Sequence, residues 1–345
     1  MPDIKIVGAG SIGNHLANAS RTLDYNVDLV DKDPAALERT KNEIYPSRYG
    51  VWDLGIKLHT TEKEPKNKKY DFIFIGTPPD SHIKLALKAV EELPCAVVIE
   101  KPLCGLDFEG LDLLVGRASQ LNVRLFMGYD HAVSKSFEYF LGKMKNRKNS
   151  IKTFDISFRE HWGGIFEAHP WLDGPHDSYL GYFSRGGGAL AEHSHGLHMW
   201  VVLAHFLGFG NVSEVNADIQ YFDDGKVNYD EMSFLNLKTS GGMIGRCVHD
   251  VVTSPTRKEI LITTNNSVET LIFEKKKDIV YSSNPKCNEE FNKSRPDDFI
   301  CEIEHLQKVI ISGGVSALDI EFGVETMKII AAAHKSSSEK KTISL

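Results

Sequence analysis

The first 125 residues alternate short apolar runs with segments of helical spacing. Lys5–Val7 is the first run, and Ser11–Thr22 follows with a helical repeat. Val27–Val30, Phe72–Ile75, Ala96–Ile99 and Val123–Phe126 are further strand-like runs. Helices are predicted after Val30, where Pro34 suits a first turn, and over Ile83–Leu93 and about Phe108–Gln120. Apolar strands alternating with helices imply a parallel, doubly wound sheet.

The pattern changes after about Met127. Ile151–Phe158, Val212–Phe222, Glu231–Lys238 and Glu259–Thr264 are longer and more alternating, and turn signals such as Asp223-Asp224-Gly225 and Ser240-Gly241-Gly242 separate them. This predicts an open, mostly antiparallel sheet with a few helices. Met199–Phe209 is interrupted by His205 and falls short of the roughly 20 residues that span a bilayer, so it is read as a buried helix. Glu274–Asp278 is read as a solvated turn, Asp297–Ile311 and Val324–Ser337 as late helices, and 336–341 as a polar tail. The expected architecture is α/β: a doubly wound parallel domain over 1–127, then an α+β domain over 128–345. The last helix is a candidate to pack back on the first domain.

Composition narrows the classes of function. A chain of 345 residues can hold two full cores. The net charge of -7 lacks the basic footprint that nucleic acid requires. The five cysteines have no CxxC spacing and are read as reduced thiols of a cytoplasmic protein. Met1 leads almost directly into a strand, so no leader is expected, and no membrane partner.

Gly8-Ala9-Gly10-Ser11-Ile12-Gly13 fits G-x-G-x-x-G, and here the pattern follows a strand and opens a helix. Gly8 permits the tight turn, Gly10 lets a pyrophosphate approach the backbone, and Gly13 lets helix and strand pack closely. The helix start presents unpaired N–H groups to phosphate. Asp31 ends the second strand 18 residues after Gly13, where an acid would bind the adenosine ribose. Its charge should repel a 2'-phosphate, so NAD is expected in preference to NADP, although the neighbouring Lys32 works against that repulsion. A Rossmann-type dinucleotide-binding domain follows.

Further motifs come in order: Gly76-Thr77-Pro78-Pro79-Asp80-Ser81-His82, Glu100-Lys101-Pro102, Gly186-Gly187-Gly188-Ala189-Leu190 leading into Glu192-x-x-His195, and Gly323-Val324-Glu325-Thr326. Together with the N-terminal fingerprint they resemble the Gfo/Idh/MocA oxidoreductase family over nearly the whole chain. His169-Pro170-Trp171, Tyr179 and Glu192-x-x-His195-x-x-His198 are similar to one subgroup, with Glu192 and His198 standing where that subgroup has aspartates. An arginine common in relatives is replaced by Ala132. The resemblance implies that Thr77, Pro78 and Glu100 line the cofactor site, and His82 is a further cofactor candidate.

Oxidising a secondary alcohol releases a proton, and histidine titrates near neutrality. His195 is the candidate base, Glu192 its orienting carboxylate on the same predicted helix face, and His198 a further substrate contact. Lys101, at a strand's C-terminal end, would polarise the substrate hydroxyl and share proton transfer. His169, Trp171, Tyr179 and Tyr129 are candidate substrate contacts, since aromatic faces suit sugar rings. No metal is expected, because no HExxH or paired-cysteine spacing occurs. The expected activity is therefore an NAD(H)-dependent oxidoreductase of a sugar, nucleotide-sugar or inositol-like polyol, forming a homodimer or homotetramer through the C-terminal sheet. Alternatives of the same family are an NAD-dependent glycosidase and a non-enzymatic dinucleotide-sensing regulator.

Overall fold

The computed structural model describes residues 1–167 and 169–345. In chain order the elements begin β1 (Asp3–Val7), α1 (Ser11–Thr22), β2 (Asn26–Asp31), α2 (Pro34–Arg39), α3 (Tyr45–Tyr49), β3 (Ile56–Thr60), β4 (Phe72–Ile75), α4 (His82–Val90), β5 (Ala96–Glu100), α5 (Leu111–Leu121) and β6 (Arg124–Gly128). There follow α6 (Lys135–Lys145), β7 (Ile151–Arg159), α7 (Trp162–Glu167), α8 (Gly188–Glu192), α9 (Ser194–Phe206), β8 (Val212–Asp223), β9 (Asn228–Thr239) and β10 (Ile244–Asp250). The chain closes with β11 (Arg257–Thr264), β12 (Val268–Phe273), β13 (Lys277–Ser283), β14 (Lys286–Asn292), α10 (Arg295–Ser312), α11 (Ile320–Glu339) and β15 (Ile343–Ser344). Two compact units result: Met1–Asp130 with Pro296–Ile320, and His131–Arg295 with Glu321–Leu345.

The first unit's sheet runs β3-β2-β1-β4-β5-β6 with every pairing parallel. β4 and β5 are buried along their whole length, which is why they read as unbroken apolar runs. β3 escaped prediction because it is a half-exposed edge strand, Ile-Lys-Leu-His-Thr, without such a run. Asp33 caps α2 by accepting the Ala35 amide at 2.9 Å, with Pro34 in the first turn.

α10 completes this unit from far along the chain. Phe299 stacks on His15 of α1 at 5.0 Å between ring centroids, and the Tyr25 hydroxyl donates to Gln307 Oε1 at 2.8 Å. After α10, Leu318 O accepts from the Met127 amide at 2.8 Å and Asp319 pairs with Arg124 at 2.6 Å. Burying Phe299 alone stabilises the docking by roughly 2–3 kcal/mol.

The second unit's sheet runs β14-β13-β12-β11-β7-β10-β9-β8-β15, parallel only between β7 and β10 among the described residues. β10 and the β12–β14 meander were not anticipated: the strands are short, six or seven residues each, and charged residues such as Arg246, Glu269 and Asp278 interrupt their apolar runs. Asp278, read as part of a solvated turn, is instead buried in β13, accepting from Ser136 Oγ at 2.6 Å and pairing with Lys293 at 2.9 Å. The polar tail is likewise helical to Glu339. There Ser336 and Ser337 accept the Ala217 and Ile219 amides of β8 at 3.0 and 3.1 Å.

One face of this sheet carries α9. Trp200 meets Phe154 edge-on at 5.5 Å, and a methyl group at Gly196 would stand 2.9 Å from the Phe158 ring. The other face leaves Phe234 and Ile244 exposed beside the ion pair Arg246–Asp155. No helix among the described residues is long and apolar enough to cross a membrane.

In the first unit, Asp28 of β2 is buried and accepts from His59 at 2.8 Å, Lys68 at 2.7 Å and Tyr70 at 3.0 Å. Burial pushes its pKa up, but the bonds from Lys68, His59 and Tyr70 outweigh burial and hold it below the usual value. A depressed carboxylate contributes stability that is present above its unfolded pKa and lost as pH falls through the folded one. Asp28→Asn is therefore expected to lower unfolding stability by about 3 kcal/mol at neutral pH. It should also blunt the wild-type loss of stability below about pH 4. Denaturant midpoints at pH 7 and pH 3.5 measure both effects.

Candidate functional site

The cofactor turn is set by backbone crowding. Gly8 has φ +111°, and a Cβ there would stand 2.6 Å from Gly76 O. A Cβ on Gly13 would stand 2.0 Å from Gly8 O, so any larger residue forces the helix away from the strand. The Gly8 amide donates to Val30 O and the Gly76 amide to Val7 O, both at 2.8 Å. These bonds tie the ends of β1, β2 and β4 together. At Gly10 a Cβ would meet nothing within 4 Å: the space before the amino end of α1 is open, as a pyrophosphate requires.

Asp31 is at the expected place, the end of β2. Its Oδ2 accepts the Ala9 amide at 2.8 Å and its Oδ1 the Asp33 amide at 2.9 Å. It therefore shapes the turn as well as supplying an acid beside it. Lys32 is exposed. Thr40 Oγ1 donates to Ala9 O at 2.5 Å. Arg48, which sequence reasoning missed, donates to Ser11 O at 3.1 Å and Ser11 Oγ at 2.9 Å, placing a cation at the helix start. Nothing local marks Arg48, because the contact spans 37 residues.

Beyond β4, Thr77 Oγ1 lies 2.7 Å from Ser81 Oγ, and Pro78 is exposed. His82 departs from expectation. It is completely buried, with Nδ1 2.9 Å from Pro102 O and Nε2 2.6 Å from Thr77 O. Both ring nitrogens lie against backbone carbonyls, so His82 ties two loops together. Burial lowers its pKa.

Glu100 ends β5, buried against the backbone of β6, where a Cβ on Gly128 would stand 2.6 Å from Glu100 Oε1. Lys101 follows, half-buried, before a cis bond to Pro102. Glu302 of α10, also missed, is fully buried in the same unit. Burial and the carboxylates of Glu100, Asp130 and Asp298 raise its pKa well above the usual range. Tyr129, expected at the substrate, is fully buried as well.

In the second unit, Glu192 and His195 do not share one helix. α8 ends at Glu192, His193 takes a non-helical conformation, and α9 starts at Ser194. The predicted i, i+3 face is thus interrupted. His195 is half-buried, and its ring lies 4.5 Å from that of His131. His131 in turn packs on Phe158 at 6.1 Å and Phe273 at 5.4 Å. The sequence reading passed over His131, although it lies one residue from Ala132, where the motif departs from its relatives. His198, expected at the substrate, is instead buried with Nδ1 3.4 Å from Thr326 Oγ1 of α11. His169 Nδ1 lies 2.9 Å from Ile165 O, and its ring meets Trp171 at 5.5 Å. Tyr179 packs against a core of Ile165, Leu180, Ala189, Val227, Tyr229 and Val251.

The strand order, the glycine turn and the acid at the end of β2 define a dinucleotide-binding Rossmann domain. Residues 3–129 match the GFO_IDH_MocA model, described as an oxidoreductase family with an NAD-binding Rossmann fold. No curated protein matches the chain in sequence. Solved structures share the fold of the whole chain. Levoglucosan dehydrogenase in complex with NADH is 15% identical over 99% of this chain and 98% of its own, with a TM-score of 0.78. The WlbA dehydrogenase of Bordetella pertussis, in complex with NADH and UDP-GlcNAcA, is 18% identical over 100% and 98%, with a TM-score of 0.71. The aldose-aldose oxidoreductase of Caulobacter crescentus, complexed with glycerol, is 15% identical over 100% and 99%, with a TM-score of 0.74.

Two glycine variants separate packing from binding. Gly13→Ala is expected to cost about 1–3 kcal/mol of stability by overpacking. Gly10→Val meets open space and should leave the melting temperature within about 2 °C, while weakening NAD at least about tenfold by filling the phosphate cradle. Thermal melts and NAD titration by calorimetry measure the two effects independently.

Proposed function

We propose that the protein oxidises or reduces a secondary alcohol on a sugar, nucleotide-sugar or inositol-like polyol. The observation that carries this reading is the open cradle at Gly10 in a family NAD domain, on a chain that also keeps Lys101 after β5 and His195 at the start of α9. NAD, when bound, supplies a two-electron hydride acceptor. Gly8, Gly10, Gly13 and the start of α1 hold its pyrophosphate, and Asp31 its adenosine ribose. Thr77, Pro78 and Glu100 line the cofactor, and Glu100 also fixes the strand end that carries Lys101.

Lys101 donates to the substrate hydroxyl and favours the alkoxide. His195 takes the proton through a ring nitrogen, and its imidazole neighbour His131 orients it. Glu192 stabilises the charged imidazolium. The aromatic segment with His169, Trp171 and Tyr179 receives the polyol, whose rings have apolar faces and polar edges. The dehydrogenases above, solved with NADH and with a nucleotide sugar, support this substrate class. The protein is proposed to work in the cytoplasm, in keeping with its five free cysteines.

Lys101→Ala and His195→Ala should each lower kcat by about 10²–10⁴-fold with the NAD dissociation constant unchanged. The assay is a panel of sugars and inositols read at the absorbance of reduced nicotinamide. Wild-type rates in either variant would remove that residue from the mechanism.

The second unit's exposed sheet face is proposed to pair two copies of the chain, in a dimer or in a tetramer built from dimers. Phe234 and Ile244 lie exposed on it beside Val248 and Leu261, an apolar strip between ion pairs. Phe234→Glu combined with Ile244→Glu should yield monomers in sedimentation analysis. An unchanged sedimentation coefficient places the interface elsewhere.

A further inference from the structure

The triple glycine before His195 is threaded past a buried acid on another strand. A Cβ on Gly187 would stand 2.2 Å from Tyr179 O, so the turn is pressed against the Tyr179–Leu180 backbone. Gly188 has φ +84°, and the Asp230 carboxylate of β9 fills the place where its Cβ would point. Asp230 is fully buried, and its Oδ2 accepts the Leu190 amide at 2.6 Å. Its Oδ1 has no hydrogen-bond partner among the described residues.

From Leu190 a run of hydrogen bonds carries the chain past His195. The His193 amide donates to Ala189 O at 2.9 Å, Ser194 Oγ to Ala191 O at 2.7 Å, and the Gly196 amide to His193 O at 3.0 Å. A helix of five residues has few bonds of its own to hold its pitch. Its amino end is held instead by one carboxylate from across the sheet.

We infer that Asp230 is a positioning residue: by gripping the amino end of α8 it sets where α9 begins and therefore where the His195 ring stands. This rests on the reading of His195 as proton acceptor. Asp230 does not touch substrate; it acts through the backbone of residues 188–194. It also explains the run of glycines, since any side chain at Gly188 would displace the carboxylate.

The grip depends on charge. Desolvation raises the Asp230 pKa to about 7, against the lowering effect of the Leu190 and Ala189 amides. The titratable groups around it are Tyr221, paired opposite on β8, His334 of α11 hydrogen-bonded to Tyr221 at 2.6 Å, and Glu192 at the far end of α8. Burial moves Tyr221 up to about 12 and His334 down to about 4, so both are neutral at pH 7. Next along β9, Glu231 lies 3.4 Å from Gln220 Nε2. An ionised acceptor binds an amide about twice as strongly as a neutral one, so the hold on α8 tightens as pH rises through 7. The sign for stability is opposite: an acid with a raised folded pKa contributes stability that is lost as pH rises toward that value. Asp230 therefore costs global stability at neutral pH while fixing local geometry.

The test combines amide exchange of residues 186–197, corrected for intrinsic rates, with the pH profile of kcat on the best polyol of the panel. In wild type, exchange at Ala189 and Leu190 should slow about tenfold between pH 6 and pH 8, the effect of a charge-assisted bond. Asp230→Asn should exchange at the pH 6 rate throughout, keep wild-type kcat at pH 6, lose at least about tenfold at pH 8, leave the KM for NAD unchanged, and melt no lower than wild type at pH 6 and higher at pH 8. Asp230→Ala should exchange fast at every pH. Superimposable exchange or kcat profiles for wild type and Asp230→Asn would overturn the inference, as would a melting temperature lowered in step with activity. Wild-type turnover in His195→Ala would overturn the assignment of the base instead, while the exchange data would still report whether Asp230 holds α8.

Discussion

The chemistry of the first unit depends on a close backbone approach. At Gly8 and Gly13 a strand end, a helix start and the neighbouring strand end at Gly76 come to distances that leave no room for a single methyl group. Each contact alone is a packing detail. Together they fix α1 so that its amino end opens toward Gly10 and nothing else fills that space. Asp31 and Thr40 then hold Ala9 from both sides, through its amide and its carbonyl. The binding site is thus a gap defined by two places where atoms are crowded.

The second unit uses a comparable device with different chemistry. There the crowding is between glycine and a buried acid, and an ionisable bond takes the part that backbone hydrogen bonds take in the first. Sterics alone are insensitive to pH, whereas a carboxylate poised near neutrality is not. The two proposed halves of the reaction, holding the cofactor and moving the proton, would therefore differ in how they respond to conditions.

Much of this was legible in the sequence. Strands buried on both faces are near-continuous apolar runs, broken only by Lys5 in β1 and Asp28 in β2, so β1, β2, β4, β5 and β6 could be read directly, and the glycine fingerprint followed from its place between a strand and a helix. What escaped depended on partners distant in the chain. β3 and β14 expose one face and look like polar loops, and β12 and β13 are short runs broken by Glu269 and Asp278. The break at His193 carries no proline or glycine to mark it. Arg48, Glu302 and Asp230 are ordinary charged residues until folding brings them to Ser11, Glu100 and Gly188. His82 and His198 show the opposite difficulty: histidines beside a motif suggest ligand contacts, and their rings also lie against Thr77 and Pro102 in one case and Thr326 in the other. Polarity next to a motif does not show whether a side chain faces the ligand or braces the loop.

The placement of α10 has a consequence for biosynthesis. The first unit is completed only by residues 296–320, which leave the ribosome after eight of the nine strands of the second unit's sheet. Until then the nascent first unit lacks Phe299 for His15 and Gln307 for Tyr25, and an apolar flank of α1 stays uncovered. Domains generally finish in the order of synthesis. Here the earlier one must wait for the later, so the growing chain carries an unfinished, adhesive surface through most of its translation, and holdase chaperones have that long to find it.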